Sequence, residues 1–465
     1  MRYDLIIIGM GSAGMVAAEF APKVGVKVAC VEGGRVGGDC LWTGCVPSKA
    51  LLASAKAALT VRHADAYGIE AFAARAAGAR VWTRIKAIQA QIAATDDDPE
   101  RFRALGVDVL EGPARLTSPT VVRVADEKHT TRFVLLATGS RPALPPIDGL
   151  AAAAPLTSEH IFAIDKAPAS IVMIGGGPIS VELAQALARL GVKVTVLERG
   201  PRILAREEPA LAERLAARLR REGIEIVNSV SPERVVVATN TGMKTVHAGE
   251  CAWRAVEIFA GAGRAANVEG LGLEEAGVKL GADGVVVDGA QRTNVKSIYA
   301  AGDVAGGPRF THAAGYEAAR AVRNMFFPGS SRGAYLVPWC TFTDPELAHA
   351  GQTEAEARAD HGMGAVRVWT HDLAHSDRAR AEGSADGELR IVTANGRIVG
   401  AHVLAPNAGE LIGELALAIE RKLKLAELAS VVHVYPTIAL AIQQLAGEAS
   451  LEAAQRYRWL VRSRA

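Results

Sequence analysis

The sequence predicts an α/β chain: two parallel-sheet domains followed by an α+β domain. Three observations lead there. "YDLIIIGMGSAGMVAAEF" continues to "VKVACVE", an apolar run, three glycines, a helical stretch and a second apolar run ending in Glu32. "ASIVMIGGGPISVELAQALARLGVKVTVLE" repeats that layout and ends in Glu198. Near the C-terminus, "RIVTANGRIVGAHVL" places Asn395-Gly396 between two alternating apolar runs, a strong hairpin signal. Helical patterns such as "GELIGELALAIERKL" follow it.

Taken in order, the first apolar run is continuous, as in a parallel strand buried on both faces. Gly9, Gly11 and Gly14 follow the strand and open a helix, and Glu32 stands eighteen positions beyond Gly14. That context makes the glycines a dinucleotide fingerprint. Gly9 permits the turn, Gly11 lets backbone approach a pyrophosphate, and Gly14 lets helix and strand pack closely. Glu32 is then placed to accept ribose hydroxyls. The second copy carries Gly175, Gly177 and Ser180. Ser180 is small enough to keep the packing with a slight loss. Glu198 sits where the ribose acid belongs and repels a 2′-phosphate, so NADH is expected, with NADPH left possible by Arg199 and Arg202. Both copies therefore read as Rossmann-like dinucleotide-binding domains. The helix after Ser180 is expected to stop at Gly191. "SRPALPPIDGL" reads as a linker.

The 465 residues allow two to four domains at roughly 100–200 residues each. The chain is 49% hydrophobic and 22% charged with a net charge of +2, which gives no reason to expect nucleic acid as a partner. No stretch of 18 or more uncharged apolar residues reads as a membrane span. "MRYDLIIIGMGSAGMVAA" resembles a signal peptide in outline, but Asp4 interrupts it and the run fits a nucleotide-binding strand better. Five cysteines are too few for a disulfide scaffold. The expected location is the cytoplasm.

Cys40 and Cys45 lie in "VGGDCLWTGCVPSKALL". A zinc site would want further cysteines or histidines nearby, and none precede His63 apart from the distant Cys30. No metal site is expected. Inert buried thiols are the bland alternative. Pro47 fits the first turn of a helix, which puts Cys45 at or near a helix N-terminus, where partial positive charge stabilises a thiolate. Gly37, Gly38 and Gly44 allow close backbone approach, and Lys49 supplies a cation one turn on.

"GGDCLWTGCVPSK" resembles the active-site motif of the flavin-dependent pyridine nucleotide–disulfide oxidoreductases, the group of dihydrolipoamide dehydrogenase, glutathione reductase and mercuric reductase. The resemblance runs through the whole chain. "LLATGSRP" looks like the family's strand and turn between nucleotide domains, and "IYAAGDV" with "FTHAAGYEA" like its second flavin motif. "AGAGRAANVEGLGLEEAGV" is similar to its GRxPN segment, and "FTDPELAHAGQTEAEA" to the opening of its dimerisation domain. The resemblance implies an FAD-binding domain in two parts (1–148 and 271–335), an NAD(P)-binding domain (149–270) and a dimerisation domain (336–465). It implies that Cys45 is the flavin-side thiol and Cys40 the interchange thiol. Lys49 would lie near the flavin and pair with Glu182, and Asp303 would bind the ribityl chain. The backbone at His312 and Ala313 would face the flavin ring, and Glu32 would hold the adenosine ribose. Gly38 and Gly139 join the FAD site, and Gly263 joins the NAD(P) site with Gly175, Gly177, Ser180, Glu182 and Glu198. A homodimer is implied, with each active site completed by the partner's C-terminal domain.

One stretch departs from the family. Disulfide-reducing members carry HxHPTxxE, whose second histidine is the acid–base catalyst. Here "HVYPTIAL" puts Tyr435 at that position and Leu440 at the glutamate position, with His433 matching the first histidine. A phenol with pKa near ~10 is a poor neutral-pH base compared with an imidazole near ~6.5. That speaks against efficient lipoamide or glutathione disulfide turnover, and His433 reads as a structural or surface histidine. Mercuric reductases resemble the chain in carrying tyrosine there, yet they use a further C-terminal cysteine pair, and no cysteine follows Cys340. The basic end "RYRWLVRSRA" reads as solvated. The expected activity is an FAD-dependent NAD(P)H oxidoreductase passing electrons through Cys40–Cys45 to a metal ion, a quinone or an atypical disulfide. The alternatives are a dihydrolipoamide dehydrogenase or other small-disulfide reductase with a non-standard proton relay, and a flavin-binding interaction protein without turnover.

Overall fold

The computed structural model describes residues 2–70, 78–329 and 332–455, so the basic C-terminal end lies outside the described residues. The chain divides into two compact units, residues 1–171 with 233–334 and residues 172–232 with 335–465.

In the first unit, β1 (Arg2–Ile8), β2 (Val28–Glu32), β3 (Asp108–Glu111), β4 (Ala114–Ser118), β5 (Val121–Val124) and β6 (Glu127–Leu136) run β3-β2-β1-β6-β5-β4 across a sheet, and strand Ile298–Ala300 also pairs with β6. β1, β2, β3, the C-terminal half of β6 and Ile298–Ala300 are parallel. The continuous apolar run of β1 has a plain cause. Leu5 and Ile7 enter the core on one face, Ile6 and Ile8 the core on the other. Helix α1 (Ser12–Phe20) covers the first face beside the helix Thr311–Phe326. Their shared core is rich in alanine (Ala13, Ala17, Ala18, Ala314, Ala318, Ala321), which lets the helix backbones approach closely.

Register brings the strand ends level: Ile8 pairs with both Val31 and Leu136, and Leu136 with Ala300. Gly9, Glu32, Gly139 and Asp303 therefore all emerge at the carboxyl edge of the parallel strands, the edge at which open α/β sheets bind ligands. Two helices follow β2, the five-residue α2 (Gly38–Trp42) and the long α3 (Cys45–Arg62). The expected linker is only partly one. Its first three residues form β7 (Ser140–Pro142), because the backbone from Ser140 to Pro142 finds ladder partners in Arg264–Ala266.

In the second unit, β8 (Ser170–Ile174), which begins at the unit boundary, lies beside β9 (Lys193–Leu197), and β9 pairs in parallel with β10 (Glu225–Val227). The helix Pro178–Arg189 ends just before Gly191, whose φ is +93°. The C-terminal part is a five-stranded antiparallel sheet ordered 339–341, 346–351, 397–405, 388–394, 366–372. The expected hairpin is present: Asn395 (φ 50°) and Gly396 (φ 79°) join Glu388–Ala394 to Arg397–Ala405, both with the positive φ a type I′ turn requires. The helices Ala408–Glu420 and Leu440–Gln455 pack on that sheet through Ile412, Leu415, Ile442 and Leu445.

Candidate functional site

Both glycine loops are wired alike. The Glu32 carboxylate accepts the Met10 N–H at 2.7 Å and the Gly34 N–H at 2.8 Å. The Glu198 carboxylate accepts the Gly176 and Gly200 N–H groups, each at 2.6 Å. In each copy the acid at or just past the end of the second strand ties its own turn to the glycine loop. Two backbone donors fix the carboxylate plane and leave lone pairs for ribose hydroxyls. Gly11 and Gly177 are the N-caps of the helices Ser12–Phe20 and Pro178–Arg189, with no capping side chain, so helix N–H groups stay open to an anion. Ser180 is fully buried and its hydroxyl has no hydrogen-bond partner among the described residues.

The first unit can hold a dinucleotide. A Cβ on Gly14 would drive into the Gly9 carbonyl, so the third glycine is a packing necessity. Gly38, at φ +53°, passes so close to Gly11 that its Cβ would stand 2.8 Å from the Gly11 Cα. A cavity of about 490 Å³ is lined by Glu32, Gly34, Arg35, Trp42, Asp97 and Glu111, among others. Arg35 lies over the Trp42 ring at 3.9 Å. Size, a ribose-type acid and an aromatic wall suit the adenosine end of a dinucleotide.

Cys45 is the first residue of α3, after the N-cap Gly44, with Pro47 buried in the first turn. Its Sγ lies 3.4 Å from Thr311 Oγ1, and Thr311 is the first residue of its own helix. Two helix N-termini thus converge on one sulfur and present partial positive charge to it. Cys40, on α2, is held as a thiol: its hydrogen bond with Cys45 comes first, burial second, with Asp97 adding, while Thr311 acts the other way. Cys40 is half-buried and Cys45 exposed. Lys49 lies one turn into α3, half-buried. His312 and Ala313 follow Thr311, His312 exposed and stacked on Phe310 and Ala313 buried.

Asp303 Oδ2 accepts the Ser140 hydroxyl at 2.5 Å and lies 3.7 Å from Arg264 Nε. Arg264 also donates to the Ser140 carbonyl at 2.9 Å and pairs with Asp39, beside Cys40. Gly139 (φ +69°) accepts the Asn267 N–H at 3.0 Å, and Gly263 accepts the Ala143 N–H at 3.0 Å. The sequence reading missed Thr311, Asp39, Ser140 and Arg264. Thr311 and Arg264 stand inside quoted motifs, but their partners are hundreds of residues away.

In the second unit, Glu182 is buried and accepts the Phe342 N–H at 2.9 Å. Tyr435 is exposed; its hydroxyl donates to Asp377 at 3.1 Å, and that hydrogen bond raises the phenol above its ordinary value. The His433 side chain is buried, with Nε2 3.2 Å from both Glu414 oxygens and Nδ1 3.1 Å from the Val431 carbonyl. Leu440 begins the helix Leu440–Gln455.

A family model described as pyridine nucleotide-disulphide oxidoreductase matches residues 3–318, and one described as the dimerisation domain of that family matches residues 337–446. A dihydrolipoyl dehydrogenase of Bacillus subtilis is 32% identical, over 97% of this chain and 98% of that protein. A mercuric reductase of Acidithiobacillus ferrooxidans is 34% identical, over 93% of this chain and 80% of that protein. Among solved structures, the HOCl-induced flavoprotein disulfide reductase RclA from Escherichia coli superposes with a TM-score of 0.84 at 26% identity, covering 96% of this chain and 99% of that one. The Cu(II) complex of RclA superposes with a TM-score of 0.85.

Proposed function

Since the chain belongs to the pyridine nucleotide-disulphide oxidoreductases, an FAD-dependent group that also binds a nicotinamide nucleotide, we propose that it carries electrons from NADH through Cys40–Cys45 to a thiophilic metal ion. The dimerisation domain points to a homodimer, and among the described residues no helix is long and apolar enough to cross a membrane. We read it as a cytoplasmic enzyme whose partner subunit completes each site.

FAD would be held by the loop Gly9, Gly11 and Gly14, by Glu32, and by Gly38, Gly139, Lys49, Asp303, His312 and Ala313. When bound, the flavin supplies two-electron hydride chemistry between the nicotinamide and the disulfide. Cys45 would be the flavin-side thiol, and the N-termini of α3 and of the helix at Thr311 favour negative charge on its sulfur. Cys40 meets the acceptor. Gly175, Gly177, Ser180, Glu182, Glu198 and Gly263 would serve the nicotinamide nucleotide. NADH is favoured because Glu198 at the ribose position would repel a 2′-phosphate, and Arg202 is engaged with the Ala205 carbonyl at 2.7 Å and the Glu207 carbonyl at 3.3 Å.

The observation that carries the acceptor class is Tyr435. A disulfide acceptor leaves a thiolate that must be protonated. A metal ion does not: the dithiol returns to a disulfide, two electrons pass to two Cu(II) or one Hg(II), and two protons leave to water. A phenol hydrogen-bonded to a carboxylate is unsuited to the first task and harmless to the second. The mercuric reductase relative and the Cu(II) complex of RclA support this class of acceptor. The second reading, a disulfide reductase with its own proton relay, draws on the His433–Glu414 pair.

An acceptor panel tests the choice: lipoamide, glutathione disulfide, Hg(II), Cu(II) and quinones, each with NADH and NADPH. Metal reduction with NADH, lost in Cys40→Ser and Cys45→Ser, is expected. Lipoamide reduction as efficient as in a dihydrolipoyl dehydrogenase defeats the metal reading. Failure of NADH to bleach bound flavin anaerobically would leave only a binding protein.

A further inference from the structure

We propose that Arg264 is a positioning residue for the redox pair, acting through its ion pair with Asp39 to hold the helix that carries Cys40. The proposal rests on the reading of Cys40–Cys45 as the redox pair.

α2 is five residues long, and an isolated turn of helix is not stable by itself. Glycines flank it: Gly37 (φ +95°) on one side and Gly44 on the other, each a point where the chain can swing. It is pinned at both ends. At the C-terminal end the Gln89 amide, itself buried, donates to the carbonyls of Leu41 at 3.0 Å and Trp42 at 2.8 Å. At the N-terminal end the Asp39 carboxylate accepts from Arg264 and from the Thr43 hydroxyl. Cys40 lies between the two pins.

Arg264 reaches Asp39 from a fixed base. It begins the short strand paired with β7, and its carbonyl accepts from Arg309 at 2.6 Å. Its Nε donates to the Ser140 hydroxyl at 2.8 Å, and that hydroxyl donates to Asp303. The guanidinium is 16% exposed and lies against two carboxylates, Asp39 and Asp303, 225 and 39 residues away in sequence. A planar, forked cation can bridge both; an ammonium cannot. Without it Asp39 and Asp303 lose the cation they share, and α2 loses its N-terminal pin. Asp39 and Asp303 belong to the two separate segments expected to face the flavin, so Arg264 couples the position of Cys40 to that of the ribityl acid.

The test uses the NADH-reduced holoenzyme and four variants: Arg264→Met, Arg264→Lys, Asp39→Asn and the double Asp39→Asn/Arg264→Met. Iodoacetamide labelling of Cys40 and Cys45 is followed separately by peptide mass spectrometry. Arg264→Met is expected to label Cys40 about five-fold faster as α2 opens locally, with Cys45 little changed. Acceptor kcat should fall about ten-fold while the KM for NADH is kept. Arg264→Lys should lie between wild type and Arg264→Met. Asp39→Asn should move in the same direction, and the double variant should be no worse than Arg264→Met alone, because both lesions remove one interaction. Unchanged Cys40 labelling in flavin-loaded Arg264→Met and Asp39→Asn, or additive effects in the double variant, overturns the proposal. If Arg264→Met does not fold, Asp39→Asn keeps the side-chain shape and decides alone. Full acceptor turnover in Cys40→Ser would instead refute the redox-pair reading and leave the labelling result standing.

Discussion

His402 should make the second unit acid-sensitive. It lies on the strand Arg397–Ala405 and is fully buried. Its Nε2 donates to the Gln352 carbonyl at 3.0 Å, while Nδ1 has no partner among the described residues. The His349 ring packs edge-on at 4.6 Å, with Trp339 stacked on His349 at 3.8 Å, and Glu207 faces His349 at 3.6 Å. Arg390 is its cross-strand neighbour. Burial, then His349, push the His402 imidazole down to about 3, with Gln352 pulling weakly upward. The sign follows. The unfolded chain takes up this proton near pH 6.5 and the folded chain does not until about 3, so stability falls as pH drops through that window. At pH 5 the loss is about 1.4 kcal/mol for each of about 1.5 pH units, or roughly 2 kcal/mol. His402→Gln removes the ionisation and keeps a donor for Gln352. Urea unfolding of both proteins, followed by tryptophan fluorescence at pH 7.5 and pH 5, gives the comparison. Wild type should lose about 2 kcal/mol more than the variant between the two pH values. Equal losses, or an NMR titration of His402 above pH 5, would refute the reasoning.

Cys45→Ser should abolish the long-wavelength band of the two-electron-reduced holoenzyme, and persistence of the band would move the flavin-side role to another sulfur. Tyr435→His should raise lipoamide turnover only modestly, because Leu440 stands where an orienting carboxylate would be needed; a full gain in steady-state rate would contradict this. Arg189→Met should cost about 3–5 kcal/mol in urea unfolding. Its guanidinium, 3% exposed, bonds Glu222 at 2.8 Å and Asp344 at 2.9 Å, and its loss takes a buried cation from both acids while Arg218 stays bonded to Glu222; a cost under about 1 kcal/mol would count against the network. Gly38→Ala should lower the flavin content of the purified protein, since the added Cβ meets Gly11 at a positive φ. Wild-type flavin absorbance in that variant would show that the close pass is not needed.

Much of the site was legible because it is made of local requirements. A positive φ calls for Gly9 and Gly175, and a helix start accepts Pro47 after Cys45. The bonds from Gly34 to Glu32 and from Gly200 to Glu198 span two residues each. The same locality made the Asn395-Gly396 hairpin and the end of the helix before Gly191 readable. Where a reading slipped, distant backbone intervened: Ser140–Pro142 carries linker composition, yet Arg264–Ala266 pairs with it and makes it a strand.

The sequence by itself determined which segments would be strand, glycine turn and helix, and that Cys45 opens a helix, since these follow from φ, capping and periodicity within a few residues. It also put a phenol rather than an imidazole at position 435. Tertiary structure alone decided who meets whom. Thr311 reaches Cys45 across 266 residues and Arg264 reaches Asp39 across 225, and Tyr435 spends its hydroxyl on Asp377. No local pattern encodes such pairs. The first two exist because parallel strands bring their carboxyl ends to one edge, so loops remote in sequence must share the space above it.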